Sequence, residues 1–253
     1  MTALPPTQEQ DLHYFLSADE PCHYIENQSS RMLVLNPELQ VDEQTLSELS
    51  RHGFRRSGDI MYKPDCDSCH QCLSSRIPVH EFRMNSSQKK AWKRNQDLRF
   101  NIIPTVFANE QHFNLYARYI QQRHAEHRHE QPNPQEFQQF LIRSKNNSFF
   151  LELWLEQQLV AVSVCDYFDD GLSAVYTFFD PEQHRRSLGV FAILSQIEYA
   201  KSLQLDYVYL GYWVPHSNKM QYKSQYQPLE ILYQDQWLRL KQPLSQEEMQ
   251  RFG

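Results

Sequence analysis

The sequence predicts an α+β protein, with a small α+β domain over residues 1–99 and a larger α+β domain over residues 100–253. Two observations support this class. Short strand-like runs and one helix precede a strongly basic segment, and a regular order of strands and helices follows it. With 253 residues, 40% of them hydrophobic, the chain is long enough to bury a core in each domain.

The N-terminal elements are short. Two apolar runs, 31–35 and 60–63, are typical of strands, and Val79–Phe82 is a third strand candidate. A helix is predicted over 42–52, because an aspartate can cap its first turn and Gly53 can end it. The small domain is therefore predicted to contain one helix packed on a few strands.

A basic helix is predicted to join the two domains. It begins at a pair of serines and ends near Arg99. Six basic residues and one acidic residue lie between Arg83 and Arg99, a local charge of +5 on a chain whose net charge is −6. Such a patch, with Trp92 among the bases, is suited to RNA phosphates, although a solvated helix face is the alternative. The candidate RNA-binding residues are Lys89, Lys90, Lys93 and Arg94.

From Phe100 the predicted order of elements is β-α-α-β-β-β-α-β-α-β. A strand over 100–106 precedes helices over 110–127 and 133–144, and a proline begins the second helix. A long apolar helix is predicted over 187–203. The remaining strands and one short helix cover residues 149–156, 159–168, 172–179, 206–212, 218–225 and 229–233.

This order resembles the GCN5-related N-acetyltransferase (GNAT) fold over most of the second domain. In that fold, the helix after the strand meander opens with Q/R-x-x-G-x-G/A, whose backbone N–H groups hold a pyrophosphate. The corresponding run here is Arg186–Phe191, which ends on a bulky Phe191. That ring would crowd the close approach that a pyrophosphate needs. The sequence therefore favours an acyl donor other than acetyl-CoA, and its six glycines form no common ATP or dinucleotide loop.

The segment 53–79 carries arginines that could bind an anion. An arginine can grip a carboxylate through two parallel hydrogen bonds. Glycines on both sides of Arg55 and Arg56 indicate a constrained loop, although exposed surface charge is the alternative. The candidate anion-binding residues are Arg55, Arg56 and Arg76.

The same segment carries three cysteines in a CxxCxxC pattern. Cys66, Cys69 and Cys72 have the spacing of zinc or iron–sulfur ligands, and Cys22, His23 or His70 could supply the fourth ligand. The alternative is a tight turn packed by reduced cysteines. An odd total of five cysteines favours reduced thiols or a metal site over a disulfide framework.

The segment 211–230 concentrates tyrosine, tryptophan and lysine after a predicted strand. We expect it to line a pocket, the alternative being an aromatic edge of the core. The candidate catalytic residues are Tyr222, Lys223 and Ser187. No apolar run approaches the ~20 residues that span a bilayer, and the N-terminus lacks the pattern of a signal peptide. We therefore expect a cytoplasmic protein without a membrane partner.

Together these motifs resemble the arginyl-tRNA–protein transferase family, and most closely its bacterial, leucine-transferring branch. The resemblance covers nearly the whole chain. The segments that carry it are CHY (22–24), Arg31, GFRRSG (53–58), YKP (62–64), CxxCxxC, RIPV (76–79), NQDL (95–98), SLGVFAILSQIEYA (187–200), YLGYW (209–213) and KMQYK–QPLE (219–230).

The resemblance implies an N-terminal domain followed by a GNAT-like domain. It also implies transfer of leucine from Leu-tRNA to proteins with an N-terminal Asp or Glu, which marks them for N-end rule degradation. An acidic acceptor needs a cation beside its amine, and the candidate acceptor-binding residues are Arg55, Arg56 and Arg76, with Lys223 as a further candidate cation. Eukaryotic members carry CGYC and CC pairs associated with a metal cluster. Here Cys22 matches the first position and Ile25 replaces the second, so we expect no required cofactor and at most an optional metal.

Two other functions compete with this interpretation. One is a non-catalytic adaptor that binds tRNA or N-degrons, and the other is a CoA-dependent N-acetyltransferase. Ester aminolysis by a free α-amine needs no ATP, and it requires only orientation, removal of one proton and stabilisation of one oxyanion. The residues are consistent with these requirements.

Overall fold

The computed structural model describes residues 12–123, 132–215 and 217–240. The first part of the chain builds a small antiparallel sheet from strands β1 (Tyr14–Leu16), β4 (Met32–Leu35), β5 (Arg55–Ser57) and β6 (Ile60–Pro64). The spatial order is β1-β4-β6-β5. A two-residue pairing of β2 (Glu20–Pro21) with β3 (Ser29–Ser30) lies beside it.

The helix predicted over 42–52 is present as α1 (Glu43–Arg51). It begins where predicted because the Asp42 carboxylate accepts the backbone N–H of Thr45 at 2.8 Å. Its apolar face covers the small sheet, and the resulting core contains Leu35, Leu46, Leu49, Phe54 and Met61. The predicted strand at 79–82 is wrong: Val79 and Phe82 are buried in the turn that follows a strand.

The second sheet has eight strands. They are β7 (Leu73–Pro78), β8 (Leu98–Pro104), β9 (Ser148–Leu155), β10 (Gln158–Tyr167), β11 (Gly171–Phe179), β12 (Tyr207–Trp213), β13 (Leu229–Tyr233) and β14 (Gln236–Leu240). The spatial order is β14-β13-β7-β12-β11-β10-β9-β8. Strand β7 comes from the N-terminal part of the chain, yet it lies between β13 and β12. The domain boundary at residue 99 stays a prediction.

Helices cover both faces of the large sheet. Helix α5 (Leu188–Ser202) packs on one face, and α2 (Ser86–Arg94) lies on α5 with the rings of Trp92 and Phe191 5.1 Å apart. The opposite face carries α3 (Glu110–Arg123), α4 (Pro134–Phe137) and a π-helical turn over Gln138–Ile142. The α+β prediction is confirmed. None of the described helices is long and apolar enough to cross a membrane.

The ends of two helices need comment, because one differs from the prediction and the other lies outside the described residues. Helix α2 ends at Arg94 rather than Arg99, because the side chain of Asn95 is held by the backbone carbonyls of Ala91 and Arg186, and the chain then enters β8. Helix α3 was predicted to reach residue 127, and residues 124–127 lie outside the described residues.

Candidate active site

The large sheet opens between two neighbouring strands. Strands β11 and β12 are parallel and pair only from Gly171–Ser173 to Tyr207–Tyr209, after which each continues without the other. On its other edge, β12 has a register irregularity between Tyr209 and Gly211. Two parallel strands that diverge leave a cleft at their carboxyl ends, which is where ligands bind in sheets of this kind.

Gly211 lies in β12 two residues after the last pairing of that strand with β11. Its φ of +77° is a conformation that L side chains rarely adopt. Among the described residues, a Cβ placed there would have the Nζ atom of Lys223 at 3.7 Å as its single non-adjacent neighbour within 4 Å. The ammonium group of Lys223 therefore borders the space beside Gly211, although the two residues are twelve positions apart in the sequence.

Lys223 is buried without a countercharge. It lies in a 3₁₀ turn over Gln221–Gln225, is 4% exposed, and donates a hydrogen bond from Nζ to the carbonyl of Tyr212. No carboxylate of the described residues pairs with it. Burial, followed by repulsion from the nearby Arg55 guanidinium, lowers its pKa to about 7. Near neutral pH, Lys223 can therefore both accept and donate a proton.

Arg55 is a second buried cation without a carboxylate partner in the described part of the chain. It is 7% exposed, donates to the carbonyl of Ser50 at 2.9 Å and to the hydroxyl of Ser74, and its Nε has no partner. Its guanidinium lies 5.3 Å from the ring centroid of Tyr209. Burial lowers the pKa of Arg55, but an arginine side chain stays protonated in proteins.

A cavity of about 410 Å³ lies on the outer side of these two cations. Gly53, Ser74 and Tyr212 form part of its wall. Arg55 lies directly behind Ser74, and Lys223 lies behind the carbonyl of Tyr212. The two cations thus give this wall a positive potential, although neither side chain lines the cavity itself.

The four candidate metal ligands line the same cavity: Cys22, Cys66, Cys69 and Cys72. Burial and the other three cysteines raise the pKa of Cys72 to about 12. The Cys66 thiol is engaged by the backbone of Arg31, whose N–H donates to Sγ at 3.5 Å. Within the described residues, no three His, Cys, Asp or Glu side chains are arranged to hold a metal ion. The thiols as placed do not fit a metal centre, and the optional metal stays a prediction.

The structure separates the three arginines that the sequence grouped together. Neighbouring side chains of a strand point to opposite faces, and in β5 the side chain of Arg56 turns away from that of Arg55. Arg56 binds the carboxylate of Asp166 through two hydrogen bonds of 2.7 and 2.8 Å, with both side chains almost fully buried. Its charge is therefore neutralised, which argues against Arg56 as an acceptor-binding residue.

Arg76 is also neutralised. Its Nε donates to Glu230 at 2.8 Å, and its guanidinium lies 3.6 Å from the ring centroid of Tyr207 and 4.2 Å from that of Trp237. The ion pair and the ring contacts join β7 to its two neighbouring strands. Of the three predicted acceptor-binding residues, Arg55 alone has no carboxylate partner among the described residues.

The other two candidate catalytic residues lie apart from each other. Tyr222 is 45% exposed, with its ring centroid 6.0 Å from Nζ of Lys223. Ser187 is exposed in a left-handed conformation before α5, and its side chain does not cap that helix. No hydrogen bond joins Ser187 to Lys223 or Tyr222 in the described structure. The geometry therefore favours Lys223 as the catalytic group.

Helix α2 covers the segment that would hold a pyrophosphate in the GNAT fold. Arg186 pairs with Asp97 through two hydrogen bonds of 2.9 Å, and Asn95 donates to the carbonyl of Arg186 at 2.8 Å. At the other end of α2, Gln88 donates to the carbonyl of Gln225 at 3.1 Å. The helix thus connects the turn that carries Lys223 with the start of α5.

The basic residues of α2 face solvent. Lys89, Lys90, Lys93 and Arg94 are exposed. Within the described residues the three lysines have no carboxylate partner, whereas Arg94 donates to the backbone carbonyl of Arg185. The predicted basic surface is therefore available to a polyanion.

Two buried side chains have a polar atom without a hydrogen-bond partner among the described residues, and sequence reasoning missed the first of them. Gln196 of α5 is fully buried and donates to Ser163 at 3.0 Å, but its Oε1 is unpaired there. The second is the buried Nε1 of Trp213, at the end of β12, in the segment predicted to line a pocket. The polar interruption of the apolar run 187–200 by a glutamine was the signal that could have indicated the first of them.

Comparison with known proteins identifies the family. The family model described as "Arginine-tRNA-protein transferase, N terminus" matches residues 20–90. The model described as "Arginine-tRNA-protein transferase, C terminus" matches residues 111–233. The chain is 59% identical over 249 residues to the aspartate/glutamate leucyltransferase of Acinetobacter baylyi, covering 98% of this chain and 92% of the relative. It is 43% identical over 234 residues to the protein of that name from Pseudomonas entomophila, covering 92% of this chain and 99% of the relative.

Among solved structures, the chain is similar to L-PGS from Bacillus licheniformis, with a TM-score of 0.46 and 11% identity over 84% of this chain and 69% of that chain. The sequence relatives, by contrast, match both halves at high identity and nearly full length. The resemblance predicted from the motifs is confirmed, and the chain belongs to the arginine-tRNA-protein transferase family.

Proposed function

We propose that this chain is an aminoacyltransferase that moves leucine from Leu-tRNA to the N-terminal Asp or Glu of a protein, in the cytoplasm, and so marks that protein for N-end rule degradation. The high identity to aspartate/glutamate leucyltransferases supports the activity. The observation that carries the mechanism is the pair of buried basic side chains, Arg55 and Lys223, which have no carboxylate partner in the described residues and lie behind one wall of the cavity.

The reaction requires little beyond positioning. The acceptor α-amine attacks the ester carbonyl, a C–N bond forms, and the C–O bond to the tRNA ribose breaks. The amine loses one proton and the leaving oxygen gains one. A single group with a pKa near neutrality can perform both transfers. Lys223, with a pKa of about 7 and its Nζ at the space beside Gly211, is the described residue best suited to that role.

The acidic acceptor is drawn to the positive wall of the cavity. A carboxylate near Ser74 and Tyr212 would be attracted by the charge of Arg55, and by that of Lys223 while Lys223 is protonated, whereas the neutral amide of Asn would not. Occupation by a carboxylate would also compensate two charges that are costly to bury alone. The ester would enter from the cleft between β11 and β12.

One assay tests the proposal against its alternatives. The protein is incubated with a set of charged tRNAs and with peptides that begin with Asp, Glu or Asn. We expect leucine to be attached to the Asp and Glu peptides from Leu-tRNA, and no acetylation from acetyl-CoA. Binding of tRNA without transfer would favour the adaptor, and acetylation would favour the CoA-dependent enzyme.

Arg55 is expected to contribute to acceptor choice. In Arg55→Met, the ratio of kcat/KM for Asp-starting over Asn-starting peptides should fall roughly thirtyfold, since loss of a buried charge that attracts the carboxylate removes about 2 kcal/mol of discrimination. Arg55→Lys should restore the ratio only partly, because an ammonium lacks the planar fork. The exposed Arg83→Ala serves as control. An unchanged ratio in Arg55→Met, with an intact fold by circular dichroism, would remove Arg55 from acceptor recognition.

The lysines of α2 are expected to bind the tRNA phosphates. Combined replacement of Lys89, Lys90 and Lys93 with alanine should weaken tRNA binding and reduce the slope of log K against log salt by about one for each lost contact. The control removes three cations outside this helix, Arg143, Lys201 and Arg239, and so has the same net charge. Equal loss of affinity in the two triple variants would show that only overall charge matters.

A further inference from the structure

A second cavity, of about 780 Å³, lies near the start of α5. It forms where the β9–β10 turn, α3 and the segment before α5 meet. Its volume falls within the roughly 300–1,000 Å³ of typical ligand sites, and the proposed transfer chemistry uses none of its side chains. The polar residues that matter for its chemistry are Gln111, Asn114, Arg118, Gln157, Gln158 and Arg186.

The lining is close to neutral and rich in carboxamides. The charge of Arg186 is compensated by Asp97, and Arg118 is balanced overall by Glu156, which also lines the cavity. Four of the lining residues carry carboxamides. A carboxamide offers a donor and an acceptor side by side, which is the pattern that matches the edge of a nucleobase. Such a cavity suits a neutral polar ring better than a phosphate or a carboxylate.

The basic helix leads to the rim of this cavity. Arg94, in the last turn of α2, donates to the carbonyl of Arg185. The residue that follows Arg185 in the chain, Arg186, lines the cavity. A strand of RNA whose phosphates contact α2 would therefore bring its following bases to the amide lining. Unpaired bases are the part of an RNA that proteins hydrogen-bond at their edges and stack on arginine planes.

The cavity and the cleft lie at the same end of the sheet. Strands β9, β11 and β12 run in one direction, so Leu155, Phe179 and Trp213 all end at this edge. Leu155 lines the cavity, and Trp213 ends the strand that carries Gly211. An RNA end held in the cavity thus approaches the edge at which the cleft opens.

We propose that this amide-lined cavity holds a nucleobase of the unpaired 3′ end of the aminoacyl-tRNA, with Asn114 reading the base edge and Arg118 stacking on its plane. This inference rests on the proposed function. It assigns the phosphates to α2 and the terminal bases to the cavity, so the two sites make separable contributions to binding.

The test compares two RNAs and two proteins by fluorescence anisotropy. The RNAs are uncharged tRNA with its complete 3′ end and the same tRNA without the unpaired 3′ nucleotides. Wild type should bind the complete tRNA about tenfold more tightly, as expected for loss of one base contact. The double variant Asn114→Ala/Arg118→Ala should bind both RNAs with the affinity that wild type has for the shortened one. Gln121→Ala/Gln122→Ala, exposed on α3 outside the cavity, is the control.

The outcomes separate this inference from the proposed function. If wild type transfers leucine from Leu-tRNA but the cavity variant keeps the full preference for complete tRNA, the cavity does not hold the RNA end. Equal binding of both RNAs by an active wild type would overturn the inference in the same way. If wild type transfers no leucine and binds neither RNA, the proposed function itself fails.

Discussion

Replacement of Lys223 with methionine is expected to lower kcat/KM for leucyl transfer by ~10²–10⁴-fold, the usual contribution of a general acid–base group. Methionine has a similar length and no charge, so it fills the buried site while removing the proton-transferring nitrogen. Lys223→Arg should be equally inactive, because a guanidinium does not release its proton near pH 7. Lys219→Met, an exposed lysine of the same segment, should keep wild-type activity.

The pH dependence provides an independent readout of Lys223. As its pKa is about 7, the neutral amine accumulates as the pH rises through that value, and kcat/KM should rise with it. The acceptor α-amine titrates separately, at about 7.7–8.0. In Lys223→Met, the rise of kcat/KM near pH 7 should disappear from the pH profile, and the rise caused by the acceptor α-amine should remain. A variant with wild-type rate and both limbs would show that Lys223 transfers no proton.

The same pKa predicts a stability difference. The pKa of Lys223 is about 7 in the folded chain and 10.5 ordinarily, so between these values the unfolded chain binds more protons. Stability therefore rises with pH across this window. From pH 7 to pH 9, wild type should gain about 2 kcal/mol relative to Lys223→Met in urea unfolding.

Breaking the buried pair of Arg56 and Asp166 is expected to cost ~3–5 kcal/mol of unfolding free energy, because it leaves one buried charge uncompensated. The pair joins β5 of the small sheet to β10 of the large one. Ser148 and Asn146 also donate to the Asp166 carboxylate, at 2.6 and 2.7 Å. Arg56→Ala should therefore unfold at much lower urea concentration, with the two sheets losing their connection.

A double-mutant cycle separates this role from a general loss of packing. Arg56→Met and Asp166→Leu should each destabilise strongly, whereas the double variant should recover much of the loss because both charges are gone. Arg239→Ala breaks an ion pair whose side chains are 53% exposed, and it should change stability by less than about 1 kcal/mol. If Arg56→Ala were as mild as this control, the buried pair would not hold the sheets together.

Local chemistry made much of the fold predictable. The cap at Asp42, the apolar run 187–200 and the turns between the meander strands are signals contained in adjacent residues, and the structure has those elements within a few positions. The boundary errors arose where a tertiary contact ended an element. At α2, the hydrogen bond from Asn95 to a distant carbonyl stops a helix that composition alone would continue.

The sequence by itself determined the fold class, the family, the basic helix and the residue types of the site, because these depend on local periodicity and motif spacing. Only the tertiary structure decided which arginine is neutralised, since Asp166 and Glu230 are far from Arg56 and Arg76 along the chain. It likewise decided that Lys223 lies beside Gly211, through a bulge and a 3₁₀ turn. Electrostatic roles depend on distances between charges in space, and those distances exist only once the chain has folded.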